Sequence, residues 1–339
     1  MEIATLGIDI GKTWFHIVGL DSKGKPLFQK KLRRPRLMEF VATCRPCSIG
    51  MEACSGSQHL ARRFIEFGHD VKLMAPRFVK AYLKSNKNDF NDAAAIAEAV
   101  QRPTMRFVAI RSIEQVDMQA IHRVREHLIG ERTATINQIR AFLLEYGITI
   151  PVGGRNLRRR LPEILEDAEN GVSDLMRALL HRMLMRLRRI QDEVDELTVL
   201  IKTLAASDPQ CQRLCTIPGV GPIVATALVA AVGNGTQFHR SRDLAAWIGL
   251  VPRQYSTGGR TRLLGISKRG NRYLRRLFIH GARSVIHNVD RRPHRFGNWL
   301  TQLEQRTHAN IVAVSLANKL ARIAWAVLRR SEPYRAAPA

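Results

Sequence analysis

The stretch Leu6-Gly7-Ile8-Asp9-Ile10-Gly11-Lys12 places one acidic residue inside a short apolar run near the start of the chain. Such a run is typical of a strand that is buried on both faces, so Asp9 is predicted to lie inside a sheet. A buried carboxylate is costly unless it is paired, hydrogen-bonded or bound to a metal. The stretch leaves two interpretations open: a hydrogen-bonded structural aspartate at a strand end, or a metal ligand.

The residues that follow predict an α/β domain with a mixed sheet. Two strands, 14–20 and 26–31, flank a turn that contains glycine, which is typical of a hairpin. A hairpin followed by alternating helices and strands favours a sheet with both parallel and antiparallel pairs. The later predicted segments are a helix over 38–44, a strand over 47–51, a helix over 57–67, a strand over 70–74 and a helix from residue 91.

Long helices are predicted for the middle of the chain, over 112–146 and 172–206. Apolar residues recur every three or four positions in the second helix, which is typical of a coiled-coil seam. We expect an antiparallel helical hairpin with a seam available for pairing between subunits; two ordinary helices in a bundle are the other interpretation. The link 153–160 is rich in Arg and Gly and is predicted to be a phosphate-contacting loop. The predicted divisions are an α/β domain over 1–111, a helical coiled-coil region over 112–206, a mostly helical C-terminal domain over 207–331 and a disordered tail over 332–339.

The charge of the chain points to a polyanionic partner. Its 54 Lys and Arg residues outnumber 29 Asp and Glu, giving a formal net charge of +25, and nucleic acid is the simplest polyanion to match it. A membrane partner is not expected, because the most apolar segment, 311–328, is interrupted by Asn318, Lys319 and Arg322. Five sparse cysteines indicate reduced thiols in a cytoplasm, and their loose spacing disfavours a zinc site.

Two stretches of the second half are candidates for nucleic-acid contacts. Ile217-Pro218-Gly219-Val220-Gly221-Pro222 precedes a helical run over 223–232 and resembles the turn of helix-hairpin-helix modules, in which N–H groups at the helix start contact phosphate. A plain glycine-rich turn is the alternative for Gly219 and Gly221. Beyond a short helix over 244–250 we predict a loop over 251–259, then a basic helix, and finally a helix over 309–330. The candidate phosphate-binding side chains here are Arg253, Arg260, Arg262, Lys268, Arg269, Arg272, Arg275 and Arg276.

Four carboxylates stand at the ends of predicted elements. Asp9 and Glu52 end strands, while Asp89 and Asp92, three residues apart, share one side of a helix start. One of the latter pair could serve only as the helix N-cap. Hard oxygen ligands suit Mg²⁺ or Mn²⁺, and two such ions about 4 Å apart stabilise the attacking and leaving oxygens at a phosphodiester. A basic chain with an acidic metal site predicts chemistry on DNA or RNA.

These motifs resemble those of the DEDD transposases of bacterial insertion sequences, of the IS110 family and its IS1111 branch in particular. The resemblance covers nearly the whole chain, in order. The stretches that carry it are Gly7-Ile8-Asp9-Ile10-Gly11-Lys12, Gly50-Met51-Glu52-Ala53, Lys87-Asn88-Asp89-Phe90-Asn91-Asp92-Ala93, Ile217 to Pro222, Gly249-Leu250-Val251-Pro252 and Ile266 to Arg275.

The resemblance implies a ribonuclease-H-like N-terminal domain similar to the Holliday-junction resolvase RuvC, with Asp9, Glu52, Asp89 and Asp92 as its tetrad. It also implies a coiled coil and a C-terminal transposase domain whose serine attacks DNA, here Ser256. A structured non-coding RNA from the element, pairing with donor and target DNA, is implied as a partner. The implied working form is a homo-oligomer, a dimer or tetramer, in the bacterial cytoplasm at the nucleoid, with the carboxylates and the serine supplied by different subunits.

Other interpretations remain open from the residues alone. A serine before two glycines is more often a turn hydroxyl or a phosphate contact, no His lies near Ser256 in sequence, and Thr257 also bears a hydroxyl. A metal-dependent structure-specific DNA nuclease without a covalent intermediate is the alternative function for the carboxylates. A kinase-like ATPase fits Gly7 to Thr13 but lacks a second phosphate loop. A non-catalytic DNA-binding scaffold leaves unexplained four carboxylates that would repel DNA.

Overall fold

A computed structural model describes residues 2–83, 88–288 and 297–335 of the chain. These residues belong to two compact units, Met1–Ser112 and Ile113–Ala339, called here the N-terminal and C-terminal units. Lys87 of the family-like motif lies outside the described residues. Of the tail predicted to be disordered, residues 332–335 have no regular secondary structure, and 336–339 lie outside the described residues.

The N-terminal unit is built on a six-stranded mixed sheet in the order β3-β2-β1-β4-β5-β6. Its elements are β1 (Thr5–Ile10), β2 (Trp14–Leu20), β3 (Pro26–Arg33), α1 (Arg34–Thr43), β4 (Ser48–Glu52), α2 (Ser57–Glu66), β5 (Asp70–Met74), α3 (Pro76–Val79), a 3₁₀ turn (Lys80–Tyr82), α4 (Asp89–Val100) and β6 (Phe107–Val108). β1 and β2 pair antiparallel, as do β2 with β3 and β5 with β6. β1, β4 and β5 run parallel. The predicted α/β unit with a hairpin-led mixed sheet is confirmed.

The two faces of this sheet are covered by different helices. Leu6 and Ile8 of β1 are fully buried in a core with apolar residues of α1 and α2. Alternate residues of a strand point to opposite faces, so Gly7 and Asp9 point toward α4. A Cβ on Gly7 would overlap the carbonyl oxygen of Ala93 in α4, so the absence of a side chain at Gly7 lets α4 lie directly on β1.

The C-terminal unit is mostly helical. Its elements are α5 (Ile113–Leu144), α6 (Gly154–Glu166), α7 (Asp174–Ser207), α8 (Pro209–Cys215), α9 (Pro222–Val232), α10 (Ser241–Ile248), β7 (Pro252–Thr257), β8 (Arg260–Ile266), α11 (Arg272–Asn288), α12 (Gly297–Arg306) and α13 (Ala309–Arg330). α5 and α7 are antiparallel, because Arg125 bonds to Thr198 while Arg132, further along α5, bonds to the earlier Gln191. Apolar residues of the predicted seam, such as Ile190 and Val194, are buried in this pair.

Two predicted loops of this unit are wrong. The segment 153–160 is the start of helix α6, in which Leu157, Leu161 and Ile164 recur at helical spacing and are buried. The segment 251–259 contains strand β7, and the following basic residues begin on strand β8 rather than on a helix. Gly258 and Gly259, with φ of 55° and 78°, form the two-residue turn that a right-twisted hairpin requires.

The two glycines of the turn before α9 have different environments, since Gly219 packs against α11 and Gly221 does not. Gly219 has φ of 83° and lies so close to Gly281 of α11 that a Cβ on either residue would overlap the backbone of the other. Gly221, in contrast, is exposed as the N-cap of α9. The C-terminal helix α13 is long and apolar enough to cross a membrane by length and composition, contrary to the sequence expectation. Half of its most apolar window is buried within the structure, and its Leu316 and Leu320 are fully buried in the core of the C-terminal unit.

Candidate active site

Asp9 and Glu52 occupy equivalent positions on two adjacent parallel strands. Ile8 of β1 is paired with Met51 of β4, and both side chains are buried in the core under α1 and α2. The next residue of each strand, Asp9 and Glu52, therefore points to the opposite face. Burial first, then the charges of Glu52 and Asp9, raise the pKa of the Cys54 thiol, which agrees with both carboxylates lying near the end of β4.

Asp89 and Asp92 lie in the first turn of α4, and neither is its N-cap. The cap is Asn88, whose side-chain oxygen accepts a hydrogen bond of 3.0 Å from the Phe90 N–H. The N-cap position is thus filled by Asn88 and not by either aspartate. Because α4 lies on β1 at Gly7, its first turn brings these carboxylates toward Asp9.

A cluster of three side chains forms at this point: Asp9, His16 and Asp89. One ligand atom from each lies within 4.8 Å of the others. His16 is paired with Asp9 across the β1–β2 hairpin and is 6% exposed. Its Nδ1 lies 3.5 Å from Oδ2 of Asp89, and its ring contacts that of Phe90 edge to face at 4.8 Å between centroids.

Sequence reasoning missed His16 as a member of the site. The signal was present in the hairpin, because two strands that flank a turn at 11–13 place residue 16 opposite residue 9. The predicted metal site was based on the four carboxylates alone.

The electrostatics of the cluster favour a bound cation. Burial of the Asp9 carboxyl raises its pKa above the ordinary value, and the negative charges of Asp92 and Asp89 raise it further. A divalent cation would relieve this repulsion, and hard carboxylate oxygens are the ligands that Mg²⁺ and Mn²⁺ prefer. The residues present therefore fit a divalent metal, with Asp9 and Asp89 as carboxylate ligands and His16 as a nitrogen neighbour.

Ser256, the candidate nucleophile, lies in the other unit on the exposed β7–β8 ribbon. It is paired with Thr261, and its Oγ accepts a hydrogen bond of 2.7 Å from the side-chain amide of Gln254. Among the described residues, no imidazole or carboxylate is hydrogen-bonded to this oxygen. Thr257 is paired with Arg260, so its side chain points to the opposite face of the ribbon from Ser256.

The predicted phosphate-binding arginines divide into exposed and engaged groups. Arg275 donates hydrogen bonds to the carbonyl oxygens of Ile248 and Arg269, and Arg276 pairs with Glu126 at 2.9 Å. These two side chains therefore bond within the unit, to the end of α10, to the connection before α11 and to α5. The others are exposed on the ribbon, on the connection after it and at the start of α11: Arg253, Arg260, Arg262, Lys268, Arg269 and Arg272.

Clustered carboxylates at the carboxyl ends of central strands, in a strongly basic chain, are typical of proteins that act on the phosphodiesters of nucleic acids. Comparison with known proteins makes this class specific. Residues 6–148 match a family model described as "Transposase", the DEDD model of the IS110 group, and residues 211–297 match "Transposase IS116/IS110/IS902 family".

Whole-length relatives agree with both matches. The transposase for insertion sequence element IS1328 of Yersinia enterocolitica is 44% identical over 96% of this chain and 97% of its own length. The transposase for IS1111A of Coxiella burnetii is 43% identical over 98% of this chain and 92% of its own. A probable family 20 transposase of Pseudomonas aeruginosa is 41% identical over 99% of each chain. The chain belongs to the IS110 family of DEDD transposases, enzymes that act on DNA and whose family implies the use of a divalent metal.

Proposed function

We propose that this transposase cuts and rejoins donor and target DNA of an insertion sequence at a centre built from Asp9, Glu52, Asp89 and Asp92. The observation that carries the proposal is the cluster of Asp9, His16 and Asp89, with Glu52 on the adjoining strand and Asp92 raising the pKa of Asp9. Mg²⁺, or Mn²⁺, is the cofactor that these oxygen ligands favour. The metal, when bound, supplies positive charge to the phosphodiester oxygens.

The protein's own residues position that charge. β1 and β4 fix Asp9 and Glu52 side by side, and the first turn of α4 supplies Asp89 and Asp92. The buried ring of His16, which contacts Phe90 edge to face, lies 3.5 Å from the Asp89 carboxylate. Because α4 packs directly on β1, the carboxylates are already gathered before DNA binds, which lowers the cost of organising the site.

We assign the nucleophile to Ser256. Its oxygen would bond to phosphorus while the bond from phosphorus to the sugar oxygen of one strand breaks, and the serine proton would end on the released sugar hydroxyl. A sugar hydroxyl would later attack the resulting phosphoserine diester, break the bond between serine and phosphorus, and return the proton to Ser256. Three features support this assignment: exposure on a ribbon, the glycine turn beside it, and a Gln254 amide that orients the oxygen. Activation of the hydroxyl is assigned to the carboxylate centre, supplied by a partner subunit.

The finer architecture is proposed on the family resemblance together with the fold. The hairpin-led mixed sheet supports a ribonuclease-H-like, RuvC-like unit, and the antiparallel α5–α7 pair supports a coiled coil that joins subunits of a dimer or tetramer. The formal net charge of +25 supports binding of a structured guide RNA as well as DNA. We also propose that the protein acts in the bacterial cytoplasm at the nucleoid. Its proposed domains are 1–111, 112–206 and 207–331.

A covalent-adduct assay tests the proposal. Full-length protein, Mg²⁺, RNA transcribed from the element's flank and a labelled donor junction are mixed, and DNA-linked protein is sought on a denaturing gel. We expect a band for the wild type and for Thr257→Ala, and no band for Ser256→Ala or Asp9→Asn. Thr257→Ala is a matched control, because it removes the neighbouring hydroxyl on the other face of the ribbon.

The second candidate function is a nuclease without a covalent intermediate. It is favoured by the lack, among the described residues, of a base hydrogen-bonded to Ser256. Metal-dependent cleavage with no adduct, unchanged in Ser256→Ala but lost in Asp9→Asn, would establish it. Water would then be the nucleophile, and Ser256 would be a phosphate contact.

A further inference from the structure

A basic and aromatic surface lies beside the carboxylate cluster, and it was not among the expected nucleic-acid contacts. The indole of Trp14, at the start of β2, is 38% exposed. Lys31 Nζ lies 5.1 Å from the centroid of this ring, and Arg33 Cζ lies 4.8 Å from it. Both cations belong to β3, the edge strand of the sheet. We call these three residues the Trp14 platform.

The strand register places the platform on the same face of the sheet as the carboxylates. Asp9 is paired with His16, and His16 with Lys31, so the three side chains form one row across β1, β2 and β3. Trp14 and Arg33 form the next pair on that face. Two strand spacings separate Asp9 from Lys31, about 10 Å, which a few nucleotides of a bound strand would span.

The charges of the platform are available to an anion. Within the described part of the chain, neither Lys31 nor Arg33 forms an ion pair with a carboxylate. Two neighbouring cations repel each other, and the ring face of Trp14 offsets part of that repulsion. A polyanion would offset the remainder, whereas a neutral or cationic partner would not.

Lys30, the neighbour of Lys31 on β3, points to the opposite face of the sheet because side chains alternate along a strand. Lys30 lies over the rings of Phe28 and Phe40, at 5.1 and 4.6 Å from their centroids. It has the same charge and lies on the same strand, but it points away from Asp9. A general attraction of this edge for DNA would involve Lys30 as much as Lys31.

We propose that the Trp14 platform binds the DNA strand whose phosphodiester is held at the carboxylate cluster. Lys31 and Arg33 contact its phosphates, and a base a few nucleotides from the reacting phosphate stacks on the indole. This inference rests on the proposed function of the cluster. It assigns to the N-terminal unit a DNA-binding surface that is separate from the arginines of the C-terminal unit.

Equilibrium binding without metal tests the platform apart from catalysis. Fluorescein-labelled single-stranded and duplex DNA from the element's end are titrated with full-length protein in EDTA, and anisotropy is followed at several salt concentrations. We expect Lys31→Gln/Arg33→Gln to bind about tenfold more weakly and to reduce the salt slope by about 1.5, as loss of two phosphate contacts requires. Trp14→Ala should bind single-stranded DNA about tenfold more weakly, and Trp14→Phe, which keeps an aromatic face, much less so.

Lys30→Gln is the matched control and should bind nearly as the wild type does. An equal loss in Lys30→Gln would overturn the platform, because it would show bulk charge rather than a site. Unchanged DNA binding by Lys31→Gln/Arg33→Gln would also overturn it. So would a variant that loses affinity only when an RNA of the same sequence is titrated in place of the DNA. Thermal melts of each variant establish that it is folded.

The same proteins separate this inference from the proposed function. A wild type that cleaves donor DNA with Mg²⁺, beside platform variants with unchanged affinity, would reject the platform alone. A weakened double variant beside a wild type that never cleaves would reject the proposed chemistry and keep the platform as a DNA-binding surface.

Discussion

His122 joins three helices of the C-terminal unit through a directed chain of hydrogen bonds. Its Nδ1 lies 2.9 Å from the Tyr273 hydroxyl and its Nε2 lies 2.9 Å from Thr226 Oγ1. Thr226 in turn donates to the carbonyl oxygen of Pro222. Thr226 therefore accepts from Nε2–H, and Nδ1 accepts from tyrosine. The ring is neutral in this arrangement, and a second proton would break the bond to Tyr273 or force its reversal.

This geometry predicts a loss of stability in mild acid. Burial, followed by the charge of Arg125, lowers the pKa of His122 from 6.5 to about 4. Between these values the unfolded chain binds a proton that the folded chain does not, so the contribution is complete above pH 6.5 and is lost as the pH falls toward 4. We expect the free energy of unfolding to drop by about 2 kcal/mol between pH 7 and pH 5 on this account.

Urea unfolding followed by helical circular dichroism measures this drop, because the helices lie mainly in the C-terminal unit. His122→Gln is the control and should show a flatter dependence on pH over the same interval. A variant with the same pH dependence as the wild type would contradict the assignment of the drop to His122.

At the scale of elements, the contact of α4 with β1 decides whether the carboxylates meet. Gly7→Ala would place a methyl group against the Ala93 carbonyl and the Ala97 backbone, so α4 must move away from the strand. We expect a destabilisation of about 2 kcal/mol, typical of overpacking, and a loss of DNA cleavage of about 100-fold, because Asp89 and Asp92 move with the helix. Urea unfolding and metal-dependent cleavage are the two measurements.

Gly130→Ala is the matched control for this substitution. Gly130 is an exposed helical glycine of α5, and a Cβ there would meet nothing within 4 Å. Alanine should stabilise α5 by about 0.5–1 kcal/mol and leave cleavage unchanged. If Gly7→Ala behaved like Gly130→Ala, close packing at Gly7 would not be what positions the cluster.

The elements that the sequence predicted well are those that bury one face. β5 and α13 agree residue for residue with the predictions over 70–74 and 309–330, because burial imposes a regular apolar spacing. The β7–β8 ribbon escaped prediction because nearly all of its residues are exposed, so burial imposes no alternation. The carboxylates of the candidate site could be named from element ends, whereas His16 and the two faces of the ribbon depend on strand register, which spacing along one strand does not contain.

At the scale of the whole molecule, the two chemical groups of the proposed mechanism lie in different compact units. Asp9 belongs to the N-terminal unit and Ser256 to the C-terminal unit. We propose that each working site takes them from different subunits. Mixing two inactive variants tests this arrangement, since Asp9→Asn keeps a normal serine and Ser256→Ala keeps a normal carboxylate centre.

We expect the mixture to recover adduct formation that neither variant shows alone. In a mixed dimer with sites shared between subunits, one site combines the intact Asp9 of one chain with the intact Ser256 of the other, while the second site carries both defects. If each site were built within one chain, every site in the mixture would contain one defect and no adduct would form. The control is a mixture of the variant that carries both Asp9→Asn and Ser256→Ala with the Ser256→Ala variant. This mixture must stay inactive, because it contains no intact Ser256. Recovery in the first mixture alone would show that transposition chemistry here requires a second subunit. No recovery, under conditions in which the wild-type oligomer forms the adduct, would place the carboxylates and the serine of each site in the same chain.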